Sequence, residues 1–196
     1  MSTGTGTDAG ADEGAGVGTD AGAGFWGYFL AGRSDRPLAE LPALAAVRDE
    51  LTCHERRPDG WQVWRRTGEP DIGGMGALAR AMGSPVVFGF IMGGECVAVE
   101  AAAPVSGSWY ACLAREPMVQ HLAASGLVLE EVFLPAEDAA RRAVDWAVEA
   151  GATVEPGPLL DVLHLARPEP GADATELFFR LLDGLGVPKG ASGDTN

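Results

Sequence analysis

Lysine is almost missing from this chain: Lys189 is the only one, against thirteen arginines. With the richness in alanine and glycine this reads as a coding bias, and no function follows from it. No apolar run reaches the roughly 18 residues that a membrane-spanning helix needs. No basic stretch followed by an apolar stretch precedes Phe25, so the N-terminus does not read as a secretory signal. Cysteine is scarce, and Cys53, Cys96 and Cys112 give an odd count without paired spacing, hence no disulfide framework. A reducing cytoplasm is the expected location. No two histidines or cysteines stand at the close spacing with which one turn presents two zinc ligands, so no metal site is expected. There is no P-loop, since Lys189 falls near the C-terminus, and no G-x-S-x-G elbow around Ser106 or Ser108. No cofactor is expected, and these absences lean against an enzyme.

Charge of one sign is abundant instead. The net charge is −14, and residues 86–186 carry fifteen acids against five arginines, a net of −10. A phosphate-binding surface needs clustered positive charge, so nucleic acid is excluded as a partner. A basic protein surface is the complementary expectation. The arginines of the first half, Arg33, Arg36, Arg56, Arg57, Arg65 and Arg66, are expected to pair with the acids of the second half.

Residues 1–24 hold, after Met1, only Gly, Ala, Thr, Ser, Asp and Glu around a single valine. Such a segment buries too little apolar area to offset its chain entropy and reads as a disordered tail, as does 187–196. A single domain over 25–186 is expected between them. Within it, 25–31 and 61–66 read as strands, 42–51 as a helix with Leu44, Val47 and Leu51 inward, and 53–60 and 67–76 as loops around a brief helix at 77–82. Val86–Met92 is a continuous apolar run, Gly93-Gly94 follows, and 95–103 alternates in part. Two glycines between two such runs predict a hairpin, because its tight turn needs positive φ at both central residues. A third strand at 108–113 completes an antiparallel meander. Helices follow at 117–125, with Met118, Val119 and Leu122 inward, and at 137–150, and Asp173 caps a last one ending at Gly186. Strands are expected at 127–134 and 159–165. Best-defined antiparallel pairing with four to five helices predicts an α+β fold rather than a doubly wound α/β sheet.

Candidate sites follow from this arrangement. Gly74-Met75-Gly76-Ala77-Leu78-Ala79 spells G-x-G-x-x-A between two strands, with Glu95 about twenty residues on, the order of a dinucleotide fingerprint. The glycines do not follow the strand directly, and that strand carries Gln62, Arg65 and Arg66, so a surface loop is the simpler reading. The alternative function rests there: a small-molecule or nucleotide site, or an enzyme, at Arg65, Arg66, Gly73, Gly74 and Gly76. Cys96 and Cys112 are expected as small core fillers. Glu100 is an acid inside an apolar strand, which must either face water on an edge strand or find a partner. Trp26 and Tyr28 share one face of the first strand, and Trp64 falls opposite Trp61 and Val63. Aromatics of this kind recur at binding surfaces. The leading expectation is a non-catalytic acidic domain, adaptor- or immunity-like, that meets a basic protein through Trp26, Tyr28 and Trp64, with Glu130 and Glu137 at the rim.

Overall fold

The computed structural model describes residues 24–190. Six strands, β1 (Gly27–Arg33), β2 (Thr52–Arg56), β3 (Trp61–Thr67), β4 (Val86–Met92), β5 (Cys96–Ala103) and β6 (Gly107–Leu113), form one sheet in the order β2-β3-β1-β4-β5-β6. Every neighbouring pair is antiparallel. Five helices of eight residues or more accompany it, α1 (Met75–Met82), α2 (Arg115–Ala123), α4 (Ala136–Glu149), α5 (Pro156–Leu163) and α6 (Ala174–Gly184), with the four-residue α3 (Leu129–Val132) between α2 and α4. This is the expected α+β class. No helix among the described residues is long and apolar enough to cross a membrane.

The meander stands as the sequence predicts. Gly93 and Gly94 have φ of 60° and 68°, and the pairing runs in register from Met92↔Cys96 to Val86↔Ala102. Its apolar run is continuous because β4 is buried on both faces. On one face Val87 and Ile91 join Phe29, Trp61, Val63, Val97 and Val99 under α4, α5 and α6. Trp146 fixes α4 there: its indole N–H lies 2.9 Å from the carbonyl of Ala102 and 3.2 Å from that of Val86. Phe178 of α6 lies over Gly89, where an added Cβ would stand 2.4 Å from its ring. On the other face Val86, Phe88 and Phe90 join Tyr28, Leu30 and Trp64 under α1 and the segment 38–51.

That segment is not the expected α-helix. It is three single 3₁₀ turns at Leu38–Glu40, Pro42–Leu44 and Arg48–Glu50. The buried residues Leu38, Leu41, Leu44 and Val47 recur every third position, and each of the last three donates its N–H to the carbonyl three residues earlier. A three-residue apolar period suits three residues per turn better than 3.6. Gln62 holds the segment down. Its buried amide donates to the carbonyls of Ser34 and Arg36, both at 2.9 Å, and accepts from Leu38 N–H at 3.2 Å and the Trp64 indole N–H at 2.9 Å.

Three further expectations change. Residues 127–134 hold the short helix α3 at Leu129–Val132 rather than a strand, because Leu129 and Phe133, four apart, point inward and the Glu131 carboxylate reaches back to the Val128 N–H. Most of 159–165 belongs to α5, which ends at Leu163 and whose buried Leu159, Val162 and Leu163 have helical spacing behind Pro156. Residues 52–56 are strand β2 rather than loop, a polar, bulged edge strand. The C-terminal boundary also moves: Val187 is buried, and its carbonyl accepts from Arg57. Of the expected tails at 1–24 and 187–196, residues 1–23 and 191–196 lie outside the described residues. The opposite edge, β6, is covered by chain: Leu134 N–H donates to the Tyr110 carbonyl, and Arg142 donates to those of Ser106 and Ser108.

Candidate partner-binding surface

Of the three aromatics singled out in the sequence, only Trp26 reaches the surface, at 40 % exposure. Tyr28 is 0 % and Trp64 8 % exposed, so neither forms part of a surface. The reason is the segment 38–51 with α1, which roofs the sheet face that the sequence reading left open. The Trp26 ring meets Phe90 edge-on at 5.6 Å and the His121 ring of α2 at 6.1 Å, and its indole N–H donates to Glu69.

Of the other exposed large apolar side chains, Val105 in the β5–β6 turn and Val148 of α4 lie apart, and the rest belong to that helix and the segments before and after it. Val119 of α2, Leu127 and Val128 of the α2–α3 connection, and Tyr110 of β6 are all open to solvent. Val119 was expected inward; it is exposed because α2 is a shallow helix in which Met118 alone is buried. The helix starts directly after β6, through Ala114 at φ 60°. A left-handed alanine costs about 1–2 kcal/mol, so this sharp entry is held by its surroundings: Arg115 and Glu116 N–H groups donate to the carbonyls of Leu165 and Ala166, and Glu116 pairs with Arg167.

Acids are interspersed with these apolar groups along the chain. Between residues 114 and 138 there are five acids and one arginine. Glu130 and Glu137 are both exposed. Glu137 stands 3.2 Å from His164, and its own backbone N–H, then His164, hold its carboxyl below the usual range. Glu95 faces His121 at 3.8 Å. Tyr110 donates to Glu100, and desolvation followed by that carboxylate raises the phenol. The corner therefore presents carboxylates and apolar side chains, with a neutral phenol between them.

The alternative residues do not converge. Arg65 is exposed, and Arg66 is committed to Glu50 and to the carbonyl of Glu69. Gly73 and Gly74 border a cavity of about 40 Å³ whose other walls are Ala43, Leu44, Ala77 and Leu78, with no arginine. Gly76 has no room for a Cβ beside Ser108, and the first amide of α1, that of Met75, is taken at 2.8 Å by Glu100. A phosphate on that helix terminus would meet a carboxylate. β3 and β4 are also separated by β1 in an antiparallel sheet, which is not the parallel βαβ unit of a dinucleotide fold. Glu100 is thus placed: β5 is an inner strand, and the acid is satisfied by Met75 N–H and Tyr110 rather than by an edge position.

Of the cross-half ion pairs expected for the arginines, Arg57 with Asp183 forms at 3.6 Å, whereas Arg66 pairs within its own half. Cys96 and Cys112 are buried core fillers, their thiols pushed up to about 12 and about 11, first by burial. No three His, Cys, Asp or Glu side chains among the described residues are grouped to hold a metal. No family model, curated protein or solved structure matches the chain.

Proposed function

We propose that the protein is a non-catalytic binding domain whose α2–α3 corner docks a basic protein partner. The observation that carries this reading is exposed Val119 on α2, a helix that buries one residue, together with exposed Leu127 and Val128 in the connection after it, exposed Trp26 beside His121, and the acids of 116–138. Exposed apolar side chains on and just after a shallow helix are weakly explained by the fold and well explained by a partner. The rim charge selects the partner's sign and speeds encounter, while the apolar centre sets residence time.

The test is paired capture from cells with the full chain and with Trp26→Ala, Val119→Asp and Glu130→Gln/Glu131→Gln forms, followed by binding kinetics on the captured protein. Trp26→Ala and Val119→Asp should accelerate dissociation, by roughly tenfold or more for a central anchor. The glutamine pair should slow association, and added salt should do the same to the wild type. All are surface changes and should leave the fold within about 0.5 kcal/mol. A partner retained equally by all forms, or one whose association is indifferent to salt, would defeat this reading.

A further inference from the structure

A second region lies at the far end of β1 from Trp26, roughly 23 Å away at about 3.3 Å per strand residue. Here the 33–36 turn, the Asp59 turn and the C-terminal end of α1 enclose a cleft of about 600 Å³. Arg33, Arg36, Asp35 and Asp59 line it, with Ser84. An apolar arm of about 200 Å³ continues from it between Leu41, Pro42, Leu78 and Met82.

Four features set this cleft apart. Neither Arg33 nor Arg36 has an acid partner among the described residues, although the chain has acids in excess. Arg33 meets only the Ala150 carbonyl, at 3.4 Å. Ser84 is 8 % exposed, and its hydroxyl has no hydrogen-bond partner. Asp59 sits at φ 57°, a conformation that aspartate tolerates better than most residues and that gathers at ligand clamps. The wall is also rigid, because Gln62 bonds the carbonyls of Ser34 and Arg36.

The charges are mixed, two of each sign, and the α1 C-terminus adds partial negative charge. A simple anion would be repelled by the aspartates and a simple cation by the arginines. A small dipole satisfies both. We propose that this cleft binds a free α-amino acid with an aliphatic side chain. Arg33 and Arg36 take the carboxylate, Asp59 and the last carbonyls of α1 take the ammonium, and the side chain enters the Leu41–Met82 arm. The site is separate from the α2–α3 corner and does not rest on that reading.

The experiment titrates the full chain with leucine, leucinamide, 4-methylpentanoate and glycine, by calorimetry and by thermal shift. Leucine should bind saturably and raise Tm with concentration. Leucinamide lacks the carboxylate and 4-methylpentanoate the ammonium, and each should bind at least about tenfold more weakly, the worth of one charge-assisted contact. Glycine should bind more weakly for want of the apolar arm. Arg36→Ala and Asp59→Asn should lose leucine binding without altering the free protein's Tm, since Arg36 is exposed and asparagine accepts the same φ. Failure of leucine to saturate, or equal binding of leucine, its two analogues and glycine, overturns the assignment without any variant. Unchanged leucine affinity in folded Arg36→Ala and Asp59→Asn overturns it as well.

Discussion

Replacing Gln62 by leucine should be among the most damaging conservative changes in the molecule. The side chain is 2 % exposed and uses both its donors and both its acceptor sites. Leucine fills a similar volume and leaves four groups without partners. The carbonyls of Ser34 and Arg36 lie near the surface and can recruit water. The Leu38 N–H and the Trp64 indole N–H belong to buried residues and cannot do so readily. Each orphaned buried group costs about 1–3 kcal/mol, so two of them cost about 2–6 kcal/mol. For a domain of this size that is a fall in Tm of roughly 4–24 °C. Urea unfolding followed by tryptophan fluorescence gives the free energy. Amide hydrogen exchange gives the location: residues 34–41 should lose protection while α4 and α6 keep theirs relative to the global stability. A loss below about 1 kcal/mol, or exchange that is unchanged over 34–41, would refute the claim that this amide pins the segment.

Valine at both Gly93 and Gly94 should destabilise the domain by about 2–4 kcal/mol, since each must hold a left-handed conformation at roughly 1–2 kcal/mol; a denaturation curve within error of wild type would contradict the turn. A thiol reagent should modify one cysteine per native chain, Cys53, and all three after unfolding, because Cys96 and Cys112 are buried and their thiolates suppressed; mass spectrometry of the native adduct decides it. Glu149 accepts from the backbone N–H groups of Val105 and Ser106, and although burial pushes its carboxyl up, the hydrogen bonds from Ser106 and Val105 outweigh that and leave it lowered. The native state therefore holds this proton less tightly than the unfolded chain, and the stability it contributes is present above the unfolded value of about 4.3 and is lost as pH falls through the lower folded value. Glu149→Gln should flatten the acid limb of the stability profile there; an unchanged limb would show that the contact does not couple to folding.

Much of the fold was legible because its strongest signals are local. Val86–Met92, Gly93-Gly94 and the strands after them need only φ, ψ and burial to declare themselves. What was missed is what tertiary neighbours decide. Thr52–Arg56 is polar throughout and is a strand only because β3 pairs with it. In 159–165 the apolar residues fit both periods, and Pro156 was the available cue for a helix start. The run of Leu38, Leu41, Leu44 and Val47 carried its three-residue period in plain view. Tyr28 and Trp64 were misplaced for one reason: apolar residues on both faces of β1 and β4 already implied a sheet covered twice. Trp26, Glu130 and Glu137 were legible as surface groups. Val119, Leu127 and Val128 were not, since exposure is the absence of a neighbour and no single residue type encodes it.

The two sheet edges are closed by different means, a short, bulged, polar β2 on one side and the Arg142 and Leu134 contacts along β6 on the other. An open edge accepts almost any extended chain, because main-chain hydrogen bonds are blind to sequence. With both closed, copies of this protein have no ready route to stack strand upon strand when crowded or concentrated. The same closure restricts recognition: whatever binds here must be read through side chains, and side-chain reading is what lets a small domain refuse the wrong molecule.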